Sequence, residues 1–422
     1  MKRPRLKNSR HRFGALFLFL LLICCMLAGC TAQEEHVTEL TLIHGWGSTE
    51  ADHIAMRAIY MDYETANPGV RINLISMPSS EDVVSKVQDM LTVGEIPDII
   101  FTGGVGQETL YRFMIDNGYA VNLTPYLGAD ASFDACIADV TKARWTEADG
   151  ALYTVSDVLL LSGGYWYNRD LFKQADINEV PATWDDFTDV LQVLSEQAGK
   201  RRDTDCSVIL DEEHILYLAD AVLADQTDED LYRLLHSDID FRQPPFTEVL
   251  SRLKEISRYA QTREQFTYRD TLEAFNLGKT AIYINGAWAN TMIRDDLDVR
   301  YAAFPSEDGT GTSCISSNLG YVLGNTKDAS RIDASVAFLK YMLSDDVQTR
   351  IVEETGQIAS SPRIDRSVIS GNERLSQAVD CVQSAGTVID TPENLWKKEL
   401  QTRFTAHVNT MLSSPDETTP PE

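Results

Sequence analysis

Trp46 stands between Gly45 and Gly47, just after the apolar run at residues 40–44. An indole flanked by glycines is exposed unless something packs on it, which makes it a candidate stacking platform; the alternative is core packing. Gly103 and Gly104 follow a second apolar run, residues 98–101. Without Cβ atoms they would let a ligand hydroxyl reach backbone N–H groups, or they simply make a tight turn. Covalent chemistry has little support. HExxH, GxSxG and P-loop motifs are all missing, and Gly103-Gly104-Val105-Gly106 is not GxGxxG. The seven histidines are scattered, and Asp225–Asp230 lacks the Gly and terminal Glu of a calcium loop. The residue types point to holding a molecule, with no catalytic residue, metal site or cofactor to name.

The elements that must position these residues read as β-α-β-α-β. Strand-like runs at 40–44, 70–75 and 98–101 are separated by apolar stripes at helical spacing. Ser79 is the expected N-cap of the second helix. A parallel sheet with right-handed crossovers follows, and ligands collect outside the carboxyl ends of such strands. Trp46, Ser76-Met77-Pro78 and Thr102-Gly103-Gly104 occupy those ends. Thr183 is expected to cap a helix opening with Trp184, which is assigned to packing. Of Tyr165, Trp166 and Tyr167, which alternate on a strand, at least one must be core. Residues 203–242 read as helical and polar-rich, residues 334–352 as strongly helical with a break at Gly356 after them, and residues 413–422 as disordered.

At 422 residues, with 43% hydrophobic and 24% charged residues, the chain is an ordinary globular one needing two or more lobes. Its formal charge is −27, with +6 in the first 29 residues, so the remainder carries −33. Such a surface repels phosphate backbones, and nucleic acid is excluded as a partner. Residues 13–29 are uncharged and follow a basic stretch, as in a secretory signal; an uncleaved anchor helix is the alternative. Leu27-Ala28-Gly29-Cys30 resembles a bacterial lipobox, which implies acylation of Cys30 and anchoring on the extracytoplasmic face of the cell membrane, with residues 30–37 as tether. Cys136, Cys206, Cys314 and Cys381 make no CxxC, so they are buried thiols or, in this compartment, disulfides.

Several segments, in order, resemble the extracellular solute-binding proteins of bacterial ABC importers, in the sugar-binding branch that includes maltose-binding protein. They are YETANPGV (63–70), PDII (97–100), NLTPYL (122–127), DGALYTV (149–155), YNRDLF (167–172), PATWDDF (181–187) and FNLGKTAIYINGAW (275–288). The resemblance covers nearly all of residues 38–412, although 190–270 matches little. It implies an α/β, two-lobed periplasmic-binding-protein-like fold of type II, with discontinuous lobes joined by hinge strands. The chain would cross near 155–158, 304–306 and 360–363. Residues 38–156 with 305–360 would form the first lobe, and 157–304 with 361–412 the second. The lobes would close on a ligand like a hinge.

Sugars offer apolar C–H faces and hydroxyl edges, so a sugar site needs aromatic platforms beside planar polar groups. The resemblance implies that Trp288, in Asn285-Gly286-Ala287-Trp288, stacks on the ligand and that Trp396 is another stacking aromatic. It places Asp157 at the first crossing against hydroxyls and Asn318 where a strand returns to the first lobe. Asp98 and Asn168 are expected to be structural. The implied function is a monomeric, lipid-anchored binding protein, not an enzyme, that captures an extracellular sugar or oligosaccharide and delivers it to an ABC permease. The alternatives are a non-sugar solute, a ligand sensor, or a glycoside-acting enzyme with paired carboxylates across a cleft.

Overall fold

The computed structural model describes residues 37–102, 107–198, 206–211, 214–262 and 268–413. Three sheets organise them. The first has the order Val70–Ser76, Thr38–His44, Ile99–Thr102, Gly320–Leu323, Thr154–Val155. Its first three strands are parallel, with Thr38 opposite Val70 and Leu42 opposite Ile99, and the last two are antiparallel to their neighbours. The crossover helices are Ala51–Ala66 and Ser80–Thr92. The former buries Met56, Ile59, Tyr60 and Tyr63 against Leu40, Leu42 and Ile100. The latter is capped by Ser79, whose hydroxyl accepts from the Asp82 N–H at 3.2 Å.

The second sheet has the order Val299–Ala303, Gly164–Asn168, Thr280–Ile284, Cys206–Leu210, Ala260–Thr262. Tyr165 and Trp166 are both fully buried, on opposite faces of this sheet. Thr183 caps the helix Trp184–Ala198, and its hydroxyl accepts from the Asp186 N–H. Trp184 is buried in that core and donates to Asp225 Oδ2 at 2.6 Å.

The expectation for residues 203–242 needs correction. Cys206–Leu210 is a strand with every residue buried, paired in parallel on both sides. The helix His214–Gln226 is buried continuously from His214 to Leu223. A strand covered on both faces loses its alternation, and a helix covered all round loses its polar face. Neither left the periodicity that sequence reading depends on.

The helical stretch expected over 334–352 is present, in successive pieces, and ends at Gly356. Helix Ala329–Met342 ends, Ser344 caps Asp345–Arg350, and a turn of π-helix, Ile351–Thr355, stops at Gly356 with φ 67°.

The third sheet, of order Ile358–Ala359, Val158–Ser162, Thr312–Ser317, Thr387–Ile389, lies between the other two in chain order. The chain leaves the first sheet at Val155 and enters this one at Val158; it leaves this one at Ser317 and re-enters the first at Gly320. Buried backbone groups at such passages need partners. The Thr154 hydroxyl donates to the Leu319 carbonyl, and the Ser360 hydroxyl to the Ser156 carbonyl at 2.5 Å. The Asp157 carbonyl accepts from the Ser360 N–H at 3.0 Å and from Gln348 Nε2 at 2.9 Å. Cys136, Cys206, Cys314 and Cys381 are all free thiols.

Gly320 has φ +66°, and a Cβ there would sit 2.3 Å from the Val155 carbonyl oxygen. Gly320→Ala is therefore expected to cost at least about 2 kcal/mol, through backbone strain and overpacking together. Urea denaturation of the variant beside Gly69→Ala, where a Cβ meets nothing within 4 Å, checks this. Equal loss in both would show that the passage tolerates a side chain.

Candidate ligand-binding cleft

A cavity of about 500 Å³ opens above the third sheet. Val158, Leu159, Leu160, Leu161 and Ile358 give it an apolar floor. One wall is built at the carboxyl ends of the first sheet's parallel strands by Gly45, Trp46, Pro78, Ser79, Ser80 and Phe101. The facing wall is the 3₁₀ turn Ala287–Thr291, which presents Trp288, with Met292 just after it. Asn318, Gln357 and the trio Glu50, Asp52 and His53 add polar groups.

Trp46 is held from several sides. Its indole N–H donates to Tyr60 Oη at 3.1 Å, and its ring lies 5.1 Å from Phe101 and 5.0 Å, edge-on, from His53. Its backbone N–H donates to His44 Nδ1 at 2.9 Å. His44 is fully buried, and burial, followed by the nearby Arg57 charge, pushes its pKa down to about 3, so the ring is the neutral acceptor this bond needs. Arg57 in turn donates to the carbonyls of Trp46 and Ser48.

Trp288 is half-buried and packs against the cores on both faces of the second sheet. It can fold back over its own turn because residue 286 is glycine: a Cβ there would lie 2.1 Å from the indole ring. The two tryptophans thus line a single cleft from opposite walls.

His53 and its neighbours were not found from the sequence. Burial lowers the His53 pKa, and its Nδ1 accepts from the Ser48 N–H at 3.2 Å, which leaves the proton on Nε2. Glu50, Asp52 and His53 offer ligand atoms within 4.8 Å of one another. They come from one turn, so the carboxylates stand on one wall and do not flank a bond as a hydrolytic pair would. The signal available was position: they follow Trp46 directly, at the start of the helix behind it. No lysine or arginine lines the cleft among the described residues.

The model of the bacterial extracellular solute-binding protein family matches residues 58–370. The chain belongs to that family. This solute-binding protein is 27% identical over 189 residues to the putative ABC transporter periplasmic-binding protein YcjN of Escherichia coli (strain K12), a match spanning 44% of this chain and 42% of that one. The chain therefore aligns with less than half the length of that relative. It is 23% identical over 339 residues to the multiple sugar-binding protein of Streptococcus mutans serotype c, covering 76% and 75% of the two chains. In fold it is similar to a Streptococcus pneumoniae solute-binding protein solved with the blood group A-trisaccharide. That match has a TM-score of 0.71 and 22% identity, over 90% of this chain and 96% of the other. The fold is the two-lobed, type II periplasmic-binding-protein-like one with discontinuous lobes joined by hinge strands, and the family is extracellular and one of binding proteins, not enzymes.

Two further residues expected at the solute-binding protein's site, Trp396 and Asp157, do not line this cavity. Trp396 is 3% exposed in the core packed on the second sheet, 4.9 Å from the Phe404 ring. Its indole donates to Asp220 Oδ1 at 2.8 Å, so its polar handle is already used inside the protein. Asp157 is fully buried beneath the floor and accepts from Tyr321 instead of facing the cavity. Asp98 ties Thr41 and Arg331 together, and Asn168 caps the helix Arg169–Gln174. Gly103, Gly104 and Cys30 lie outside the described residues. No helix among the described residues is long and apolar enough to cross a membrane.

Burial raises the Asp220 pKa well above the ordinary carboxyl value, so its one hydrogen-bond donor matters to the fold. Trp396→Phe is expected to lower unfolding free energy by about 1–3 kcal/mol through the unmet carboxyl, and to leave ligand affinity unchanged. Denaturant melts with parallel calorimetric titrations check both; an affinity loss at unchanged stability would return Trp396 to the cleft.

Proposed function

We propose that this protein captures an extracellular sugar or oligosaccharide between its two lobes and delivers it to an ABC permease. The observation that carries the reading is the pair of half-buried indoles, Trp46 and Trp288, facing one cavity over an apolar floor. Two flat aromatic faces suit pyranose C–H surfaces, and the rim polar groups suit hydroxyl edges. Asn318 can both donate and accept, His53 Nε2–H donates, and Glu50 and Asp52 accept. Among the described residues the lining holds carboxylates and no cation, with Glu50 paired at 3.5 Å to the exposed Arg269 outside it, which disfavours anionic solutes, so the ligand is a neutral or amino-bearing saccharide. The sugar-binding relatives support the same class.

The lobes are proposed as residues 38–156 with 305–360 and 157–304 with 361–412. Contacts between helices of the two sides, Lys398 Nζ to Glu81 at 2.8 Å and Tyr232 Oη to Glu108 at 3.2 Å, suit a closed form. The first is exposed and worth at most about 1 kcal/mol; the second is part-buried, as is the Arg144–Asp390 pair at 2.9 Å that also joins the two proposed lobes. The lipobox-like sequence supports anchoring through acylated Cys30 on the outer face of the cell membrane, and the protein is proposed to act there as a monomer.

A thermal-shift screen of neutral, amino-bearing and anionic oligosaccharides, with polyamines and sugar phosphates alongside, tests the ligand class. A binder at a hundred times its Kd stabilises the fold by about 2.7 kcal/mol. A shift with a neutral or amino-bearing saccharide is expected, and Trp288→Ala should then weaken it about 30-fold in calorimetry, as loss of a central aromatic contact does. A shift only with an anionic or non-sugar solute would overturn the reading.

A further inference from the structure

Beneath the cleft runs a chain of four buried or half-buried polar groups that belong to distant parts of the sequence. Trp46 Nε1 lies 3.1 Å from Tyr60 Oη, Tyr60 Oη lies 2.8 Å from Tyr321 Oη, and Tyr321 Oη lies 2.7 Å from Asp157 Oδ2. An indole N–H can only donate, so Tyr60 accepts from Trp46 and its own proton is free for Tyr321. Tyr321 then gives its proton to the carboxylate. Every donor in the chain points the same way, from the cleft toward the hinge.

The far end of this chain is where the passages between the lobes meet. Asp157 separates Thr154–Val155 of the first sheet from Val158–Ser162 of the third. Its carbonyl is gripped by Ser360 and Gln348, and Gln348 Oε1 accepts from the Ser361 N–H at 2.8 Å, so two passages are tied at one residue. Tyr321 opens the third connection, beside Gly320. Its Oδ1 has no donor among the described residues, as is also true of Asp98 Oδ1 and Asp220 Oδ2. A buried carboxylate short of donors lowers stability; what sets Asp157 apart is its place at the passages and its link through two phenols to the Trp46 indole.

We propose that Asp157 is a positioning residue for ligand binding, fixing the Trp46 indole through Tyr321 and Tyr60 and coupling that indole to the hinge. The proposal rests on the cleft being the binding site. Movement at the hinge displaces the carboxylate, and the displacement passes through two rigid phenols to the stacking face. Conversely, a sugar that presses on Trp46 loads the hinge.

The same chain confers a pH dependence. Burial raises the Asp157 pKa to about 6, with the Tyr321 hydrogen bond opposing. The groups facing it are Tyr321 and, one step on, Tyr60, both of which burial keeps protonated, together with the neutral Gln348 and Ser360. His44, edge-on to Tyr60 at 5.3 Å, stays neutral down to about pH 3. His53 touches Trp46 directly and titrates below its ordinary value, so it must be controlled for. Above about pH 6 the Asp157 carboxylate is charged and draws the whole chain tight; below it the bond becomes a weaker neutral one.

The test needs no ligand. The protein is labelled with 5-fluorotryptophan, and the Trp46 ¹⁹F resonance is assigned by its loss in Trp46→Phe. That resonance is expected to shift with a midpoint near pH 6. The shift should be absent in Asp157→Asn, Tyr321→Phe and Tyr60→Phe and retained in His53→Gln, with melting temperatures of the Tyr→Phe variants confirming that they fold. A response lost in His53→Gln but kept in Asp157→Asn and Tyr321→Phe would overturn the proposal. In the same variants, affinity for a saccharide that stabilises the wild type falls about five-fold, the loss of one hydrogen bond's support. If no saccharide binds, the sugar reading fails while the fluorine response still decides the relay. Binding unchanged in all three variants would overturn the positioning role and leave the sugar reading intact.

Discussion

The structure depends on satisfying the backbone where the chain passes between its two lobes. These passages are buried, so each N–H and C=O there must find a partner without water. Polar side chains do much of this: the Thr154 hydroxyl reaches the Leu319 carbonyl, the Ser360 hydroxyl reaches the Ser156 carbonyl, and Gln348 accepts from the Ser361 N–H while donating to the Asp157 carbonyl. Gly320 lets two backbones approach more closely than any Cβ would permit.

The cleft follows from these passages. Because the third sheet is shared by both lobes, its Val158–Ser162 strand becomes a floor that neither lobe covers alone. The walls are strand ends and a tight turn, where backbone N–H groups and short loops converge. An apolar floor, two indoles and a polar rim suit a solute with both C–H faces and hydroxyls. They suit an anion poorly, since among the described residues acids and no cations line the rim.

Much of this was legible. The β-α-β-α-β periodicity gave the first sheet and its strand ends, and those ends form one wall of the cleft around Trp46. Trp288 and Asn318 came through family resemblance, and the structure puts both on the cavity. Trp396 is instead inside the core packed on the second sheet, because nothing local reveals its bond to Asp220, a residue 176 positions away. Asp157 was located correctly at a passage, but the direction of its side chain depends on Tyr321, again distant in sequence. Glu50, Asp52 and His53 escaped notice because acids in a helix's first turn look like complements to its dipole. The segment from Cys206 to Leu223 misled for the opposite reason: complete burial erased its periodicity.

The most direct measurement is a crystal structure of the protein with a neutral oligosaccharide that stabilises it. If the cleft is the binding site, density for a pyranose ring will lie against Trp288 and near Trp46, with hydroxyls toward Asn318 and the Glu50–His53 turn and no contact with Trp396. A saccharide seated outside this cavity, or one held in it without touching either indole, would contradict the assignment of the site.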